Sequence, residues 1–453
     1  MRLPEGAVPA TRRADPPGLR VVLDVRPLQD PSRAPSTARY LEGLLGAFDA
    51  APLPGESFAL LLQSDLEDPT TRFTHLEVVG RRLLPPTRRL RSSALAVDPF
   101  LLRGASIGAA WRSDRAGAAG AVYHAAAGAA PLFARIPTVV TLLDLAPWEL
   151  PAAFQGNPAA RFGLRIRAQL LRDAAAVIVG TDAVARAARR LLRIRPEKLR
   201  VVPLAAHPAF IAAGPAGAAA GAHAAAATAA GAATAAERDR LGLPETYLVF
   251  PGRYDARHDL ATLLRALATL AAEPRPRGLP AAVPWPPRVV LIDASPDDRA
   301  ALARAALRQG VEGALAYAPV LPPYRLAALV RGARAAVLPA VSDAAGLAAL
   351  DALAVGVPVV ATTVGALPEI VGRAGILVGP RDPDRLAEAL RAAWADERLH
   401  RTMREAAVER AAAIATRTWA DVARETRAVY ASVGVRHPKS AGRGTVGGDP
   451  ARP

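Results

Sequence analysis

The sequence predicts an α/β protein with two doubly wound parallel sheets. Short Val- and Leu-rich runs alternate with amphipathic helical runs, the pattern occurs in both halves of the chain, and an Ala- and Gly-rich segment separates the halves. Short, fully apolar runs between helices are typical of parallel strands that are covered on both faces. Because 453 residues exceed what one hydrophobic core usually serves, we expect two domains.

Each half contains six strand-like runs. In the first half they are LRVVLDV from Leu19, FALLLQ from Phe58, AVYHA from Ala121, TVVTLLD from Thr138, AAVIVGT from Ala175 and LRVVPL from Leu199. In the second half they are TYLVFPG from Thr246, RVVLID from Arg288, ALAYAP from Ala314, AAVLPA from Ala335, VPVVATT from Val357 and AGILVGP from Ala374. Ligands bind beyond the carboxyl ends of such strands, so the residues after each run are the site candidates.

Three segments lack the apolar periodicity of packed elements. Residues 1–18 and 434–453 are predicted to be disordered tails. Residues 211–240 are mostly Ala and Gly, and we interpret them as a linker or flexible insert. The predicted domains are therefore residues 19–210 and 241–433.

Composition narrows the functional classes. The chain has no Cys, which excludes disulfides, thiolate metal sites and a cysteine nucleophile and favours a cytoplasmic protein. Neither a signal peptide nor a bilayer-spanning run is apparent. The formal charge of +16 would suit contact with an anionic membrane surface or a phosphorylated small molecule. Nucleic-acid binding is not expected, because no recognition motif accompanies the charge and an Arg-rich compositional bias explains it.

A basic pair follows the first strand-like run of the second half. Arg257 and His258 are predicted to lie in the loop or first turn of a helix that continues through Leu260. Cationic side chains oppose the dipole at a helix N-terminus, and an anionic ligand would relieve this conflict. The pattern indicates a phosphate site, with a solvated basic turn as the alternative.

Two acids follow the run AAVLPA. Asp343 is predicted to lie in a loop, Gly346 where a helix starts, and Asp351 about two turns along that helix. Backbone N–H groups from Ala345 to Leu347 would point into the cleft, and Gly346 would let a ligand approach closely. Asp351 would reach a sugar or ribose hydroxyl. The alternative is that Asp343 is an N-cap and Asp351 a surface acid.

These motifs, in this order, resemble the group 1 (family 4) retaining glycosyltransferases, which have two facing Rossmann-like domains in the GT-B arrangement. The resemblance spans about residues 19–430 and is densest in PGRYDARHDL from Pro251 and in AVLPAVSDAAGLAALDALAVGVPVVATTVGALPE from Ala336. It implies transfer of a mannose-like or glucose-like sugar, with retention, from a nucleotide-diphosphate donor to a saccharide or lipid-linked acceptor. The first domain would hold the acceptor and the second the donor, without a metal or other cofactor. The last helix, about 416–433, would cross back to the first domain.

The resemblance also assigns site residues. Arg257 and Asp343 would be catalytic, since Arg257 would stabilise charge on the leaving diphosphate and Asp343 would face the sugar hydroxyls. Asp351 would hold the ribose. The complete implied donor site is Gly252, Arg257, His258, Asp343, Gly346, Leu347 and Asp351.

Several positions depart from the family pattern. Asp replaces Glu at both acidic positions, His258 replaces a Lys, and Leu143 replaces the His that precedes Asp144. His124 and Asp144 are assigned to the acceptor or sugar cleft, with a core histidine as the alternative for His124. Two functions therefore stay open. One is an active transferase in which donor affinity increases as His258 gains a proton between about pH 8 and about pH 6. The other is a catalytically impaired relative that acts as a binding or regulatory partner, for instance in a hetero-oligomer with an active enzyme.

Overall fold

The computed structural model describes residues 19–86, 97–104, 120–126, 130–215, 217 and 234–434. Within these ranges, thirteen strands form two sheets, and every strand pairing is parallel. The predicted fold class, α/β with two doubly wound sheets, is confirmed. The predicted tails are residues 1–18 and 434–453, and they lie outside the described residues except for Gly434, which is the last residue of a helix. Most of the predicted linker lies outside the described residues as well.

The first sheet has seven strands. They are β1 (Leu19–Asp24), β2 (Ser57–Gln63), β3 (Val78–Leu84), β4 (Gly120–Ala125), β5 (Thr138–Thr141), β6 (Ala176–Val179) and β7 (Leu199–Val201). Their order is β3-β2-β1-β4-β5-β6-β7. The direction of winding reverses between β1 and β4, and in doubly wound sheets a crevice opens at the carboxyl ends of such strands.

The second sheet has six strands. They are β8 (Leu248–Phe250), β9 (Val289–Ile292), β10 (Leu315–Ala318), β11 (Ala335–Leu338), β12 (Val359–Thr362) and β13 (Gly375–Val378). Their order, β10-β9-β8-β11-β12-β13, repeats the winding of the first sheet, with the reversal between β8 and β11. The residues that follow β8 and β11 therefore share one edge of this sheet.

Helices provide most of the connections. They are α1 (Arg26–Gln29), α2 (Pro35–Ala50), α3 (Ala146–Glu149), α4 (Pro151–Phe154), α5 (Pro158–Asp173), α6 (Asp182–Leu192), α7 (Pro208–Ala213), α8 (Leu260–Ala272), α9 (Pro296–Arg308), α10 (Pro323–Arg331), α11 (Leu347–Ala354), α12 (Leu367–Val371), α13 (Pro383–Ala395), α14 (Glu397–Ala415) and α15 (Trp419–Gly434). Residues 97–104 and 234–240 are also helical. No helix within the described ranges is both long and apolar enough to cross a bilayer.

The strand β3 is the element that the apolar pattern did not predict. It lies at the edge of the first sheet and pairs only with β2. Residues 79–83 of this strand, which include Arg81 and Arg82, are exposed. An edge strand need not be covered on both faces, so its sequence lacks the continuous apolar run of the central strands.

The last helix, α15, packs against the first domain. The Trp419 and Tyr40 rings lie 6.1 Å apart, and the Tyr430 hydroxyl hydrogen-bonds the His124 Nδ1 at 2.6 Å. A Cβ added to Gly43 on α2 would come within 2.2 Å of the Trp419 indole, so α2 needs a glycine for this close approach. The chain thus returns to its first sheet after completing its second.

Part of the segment predicted to be a linker is ordered structure. Residues 234–240 form a helix in which Glu237 is buried. The Glu237 carboxylate accepts hydrogen bonds from Arg325 at 2.6 and 2.8 Å, which attaches this helix to α10. Residues 234–240 therefore are not a flexible connector, although their composition resembles one.

Candidate active site

A cleft lies between the two domains and contains about 1200 Å³ of space, open solvent included. The first domain lines it with residues that include Arg33, Thr37, Arg39, Leu143 and Asp144. The second domain lines it with residues that include Gly252, Arg253, Arg257, His258, Asp343, Leu347 and Asp351.

Backbone pairing brings the basic and acidic motifs of the second domain together. The loop after β8 runs beside the loop after β11, where the Val341 N–H donates to the Arg257 carbonyl at 2.7 Å. The Asp259 N–H donates to the Pro339 carbonyl at 2.8 Å, and Asp259 also caps α8. Arg257 and the Asp343 loop therefore meet because their strands are neighbours in the sheet.

Arg257 is the cation of the site, and acids hold it from both domains. It donates to Asp144 from Nη2 at 2.5 Å and from Nε at 3.3 Å, and from Nη1 to Asp255 at 2.7 Å. Its guanidinium lies 4.9 Å from the centroid of the Phe154 ring. Burial is the largest single effect and opposes the charge, but the hydrogen bonds and charges of Asp144 and Asp255 together outweigh it and raise the pKa of Arg257. At Asp144 burial is again the largest single effect, and Arg257, Arg167 and the Ala146 N–H together outweigh it and lower the pKa of that carboxyl.

His258 lies next to Arg257 and is neutral near physiological pH. Burial lowers its pKa to about 4. Its Nδ1 accepts the Arg253 N–H at 3.3 Å, so the proton of the neutral ring belongs on Nε2. Nε2 is buried and has no hydrogen-bond partner among the residues that the structure describes. The expectation that His258 gains a proton between about pH 8 and about pH 6 does not hold, because that expectation assumed a solvated side chain.

Asp343 organises the start of α11. Its Oδ1 accepts the N–H groups of Ala345 at 3.2 Å and of Gly346 at 2.7 Å. These N–H groups were predicted to point freely into the cleft, and that prediction is wrong because Asp343 uses them. Burial raises the pKa of Asp343, and the nearby Asp144 and Glu149 carboxylates add to this effect. Gly346 has φ 63°, a conformation that favours glycine.

Asp351 is a buried acid on α11. It is only 7% exposed, so the alternative of a surface acid does not hold. Both guanidinium Nη atoms of Arg39 donate to it, and the Nη2–Oδ1 distance is 2.6 Å. The His207 N–H adds a third hydrogen bond at 3.1 Å. Arg39 belongs to α2, so this ion pair joins the two domains across the cleft.

His124 does not line the cleft. It is fully buried, with Nδ1 bonded to the Tyr430 hydroxyl at 2.6 Å and Nε2 to the Thr141 hydroxyl at 2.8 Å. Burial lowers its pKa to about 3. The assignment of His124 to the acceptor or sugar cleft is therefore corrected, and it is a core histidine with both ring nitrogens satisfied.

Among the polar side chains of the site that sequence reasoning missed, three join the two domains, namely Arg39, Ser342 and Glu149. Arg39 was not singled out, although it lies in the first turns of α2 after β1. Ser342 donates to Glu149 at 2.5 Å, which adds a further contact between the domains. Burial raises the pKa of Glu149. No local pattern marks such pairs, because the partners are distant in sequence.

The chemistry of the cleft suits a ligand that carries both phosphate and hydroxyl groups. Arg257 is a cation with bidentate geometry, and the His258 Nε2–H is a neutral donor. Asp343 and Asp351 supply carboxylate acceptors for hydroxyls. Among the described residues, no group of three or more His, Asp or Glu side chains is arranged to hold a metal ion.

Two domains of this fold around such a cleft define the GT-B class of glycosyltransferases. Residues 51–205 match the family model described as "Glycosyl transferase 4-like domain", and residues 245–396 match the one described as "Glycosyl transferases group 1". Each domain is therefore similar to a glycosyltransferase family, and neither match alone covers half of the chain.

Sequence relatives and solved structures agree with this placement. The chain is 36% identical over 206 residues to the D-inositol 3-phosphate glycosyltransferase of a Nocardioides species, which covers 43% of each protein. It is 32% identical over 208 residues to that of Corynebacterium glutamicum, which covers 43% of this chain and 46% of the relative. The chain thus matches less than half the length of these relatives.

Two solved structures share the fold over most of the chain. Sucrose-phosphate synthase from Thermosynechococcus elongatus has a TM-score of 0.65 at 19% identity and covers 91% of this chain and 98% of its own. Anabaena HepE in complex with UDP has a TM-score of 0.61 at 17% identity, with 91% and 99% covered. At these identities the likeness concerns the fold alone.

Proposed function

We propose that the protein transfers a hexose, mannose-like or glucose-like, with retention from a nucleotide-diphosphate donor. The observation that supports the proposal is that Arg257, Asp343 and Asp351 line the same side of the cleft. All three belong to the domain that matches the group 1 family model. The second domain would bind the donor, and the first domain would bind the acceptor across the cleft.

Arg257 would bind the diphosphate of the donor. As the bond between the anomeric carbon and the phosphate oxygen breaks, negative charge develops on that oxygen, and the guanidinium would stabilise it. The acceptor hydroxyl would attack from the face that the leaving group vacates, and its proton would pass to the departing phosphate. We propose that Arg257, and not a metal, supplies the positive charge. His258 would add a neutral N–H donor where a Lys would supply a cation.

The two acids would recognise hydroxyls on either side of the diphosphate. Asp343 would accept hydrogen bonds from the sugar, and Asp351 from the ribose. Gly252 lines the cleft, and the packing there requires a glycine, since a Cβ would come 2.5 Å from the Phe250 ring and 3.0 Å from the His258 Nε2. Gly346 and Leu347 would complete the turn beside the sugar.

The proteins that this chain resembles suggest which donor and acceptor substrates to test. Anabaena HepE has solved structures with UDP and with UDP-glucose, so UDP-glucose is the first donor to test. The sequence relatives are D-inositol 3-phosphate glycosyltransferases, which adds a cyclitol phosphate to the saccharide and lipid-linked acceptors. Arg33 and Arg39 line the first-domain side of the cleft and would suit an anionic acceptor.

The test is donor binding by calorimetry, together with release of the nucleotide diphosphate. UDP-glucose, GDP-mannose and their relatives would be titrated into the native chain and into Arg257→Ala. We expect Arg257→Ala to weaken binding by ~1.5–3 kcal/mol, the usual contribution of a hydrogen bond to a charged group. Arg304→Ala, at an exposed position on α9, is the matched control. Equal affinity in the native chain and Arg257→Ala would contradict the phosphate assignment, and binding without turnover would favour the non-catalytic partner.

A further inference from the structure

Two of the three charged side chains expected to hold the donor are already paired with side chains of the first domain. Arg257 donates twice to Asp144, which follows β5. Asp351 accepts both Nη groups of Arg39, which lies on α2. The charges of Arg257 and Asp351 are therefore both balanced by opposite charges from the other side of the domain boundary.

These pairs use the atoms that a nucleotide diphosphate would need. A phosphate engages a guanidinium in the same bidentate geometry as a carboxylate, so Asp144 and a diphosphate compete for the same N–H groups of Arg257. A ribose hydroxyl would donate to the oxygens of Asp351 that now accept from Arg39. The His207 N–H also donates to Asp351 and leaves it little further acceptor capacity.

We propose that Asp144 and Arg39 are competing residues that gate the donor site. Donor binding would transfer Arg257 from Asp144 to the diphosphate and Asp351 from Arg39 to the ribose. The exchange would also free Asp144 and Arg39, which line the same cleft, to contact the second substrate. This inference rests on the proposed function.

A second contact between the domains provides a matched control. The Glu369 carboxylate on α12 accepts the N–H groups of Asp182 at 3.1 Å and of Ala183 at 2.6 Å. Like the gating pairs, it joins the two domains through a charged group. It holds no residue of the expected donor site, so Glu369→Ala loosens the interface without releasing Arg257 or Asp351.

The experiment compares two probes on four proteins. The affinities of UDP and of inorganic pyrophosphate are measured by calorimetry for the native chain, Asp144→Asn, Arg39→Ala and Glu369→Ala. Asp144→Asn releases the Nη2 and Nε groups of Arg257, while Asp255 still holds Nη1, so both probes should bind more tightly by up to roughly fivefold, the range that a partly exposed ion pair supports. Arg39→Ala frees Asp351, so UDP should bind more tightly by a similar factor while pyrophosphate, which has no ribose, should not. Glu369→Ala should change neither affinity.

The outcomes separate the gate from the proposed function. If the native chain binds UDP and both gating variants bind it equally or more weakly, the gate is wrong and the donor site stands. If neither the native chain nor any variant binds UDP or pyrophosphate, the proposed function fails and the gate fails with it. A thermal melt checks that each variant is folded. Should Asp144→Asn not fold, Asp144→Ser removes the same carboxylate and carries the same expectation.

Discussion

The Nδ1 of His124, on the central strand β4, lies 2.6 Å from the hydroxyl of Tyr430, on the last helix, and the two form a hydrogen bond. Thr141 bonds the opposite nitrogen at 2.8 Å. Both ring nitrogens are therefore occupied, and the core holds the imidazole without charge. Protonation of this ring requires the last helix to separate from the first domain or an ion to be buried there.

Stability should consequently decrease as the pH falls through the acidic range. The pKa of His124 is about 3 in the folded chain and ~6.5 when unfolded, so the unfolded state binds more protons between these values. The contribution is fully present above about pH 6.5 and is lost at up to ~1.4 kcal/mol per pH unit below it. Urea unfolding from pH 7 to 4 should show a shallower slope for His124→Gln.

The contact between α2 and α15 predicts opposite effects for two glycines on one helix. A Cβ on Gly43 would overlap the Trp419 ring at 2.2 Å, whereas one on Gly46 would meet only Phe73, at 3.9 Å. Gly46→Ala should stabilise the protein by ~0.5–1 kcal/mol through helix propensity. Gly43→Ala should destabilise it by ~1–3 kcal/mol, the usual cost of overpacking. Calorimetric melting would measure both, and equal shifts would contradict the packing of α15 on α2.

Gly346→Ala should be destabilising. The φ of Gly346 is 63°, and a Cβ would come 3.3 Å from the Ala366 Cβ and would have to displace the Ile370 Cδ1, the end of a flexible side chain 2.1 Å away. Gly310 has φ 66° and open space around it, so Gly310→Ala isolates the backbone strain. Gly346→Ala should cost ~1–3 kcal/mol more than Gly310→Ala, because overlap adds to strain. UDP affinity should fall only in Gly346→Ala. If the two variants lose similar amounts of stability, Ile370 moves aside to admit the added methyl group.

Donor affinity should be insensitive to His258 titration. With the pKa of His258 at about 4, the ring stays neutral from pH 8 to 6, so UDP-glucose affinity should stay flat over this range. His258→Lys adds a cation and should strengthen binding by ~1.5–3 kcal/mol at pH 7. His75→Lys adds the same charge at an exposed position and should have little effect. A steep increase in native affinity toward pH 6 would mean that the ligand raises the pKa of His258 to near neutral.

The strands could be predicted because burial on both faces leaves a continuous apolar run. The β3 strand could not, since solvent covers Arg81 and Arg82 at the sheet edge and interrupts that run. The cleft positions of Arg257 and Asp351 also followed from the sequence, through strand order and family resemblance. The ion-pair partners of Arg257 and Asp351 could not be predicted from the sequence. Arg39 and Asp351 are 312 residues apart, and no local periodicity records a contact between two separately folded sheets.

The packing of α15 also constrains biosynthesis. Roughly 220 residues separate the end of β7 from Trp419, so translation takes about 10–45 s to supply the helix that covers Tyr40 and Phe48, at ~5–20 residues per second. During that interval the nascent first domain presents aromatic surface that the finished protein hides. The domain that leaves the ribosome first is therefore completed last, and a ribosome that stalls before Trp419 releases a chain with two sheets but an unfinished first core.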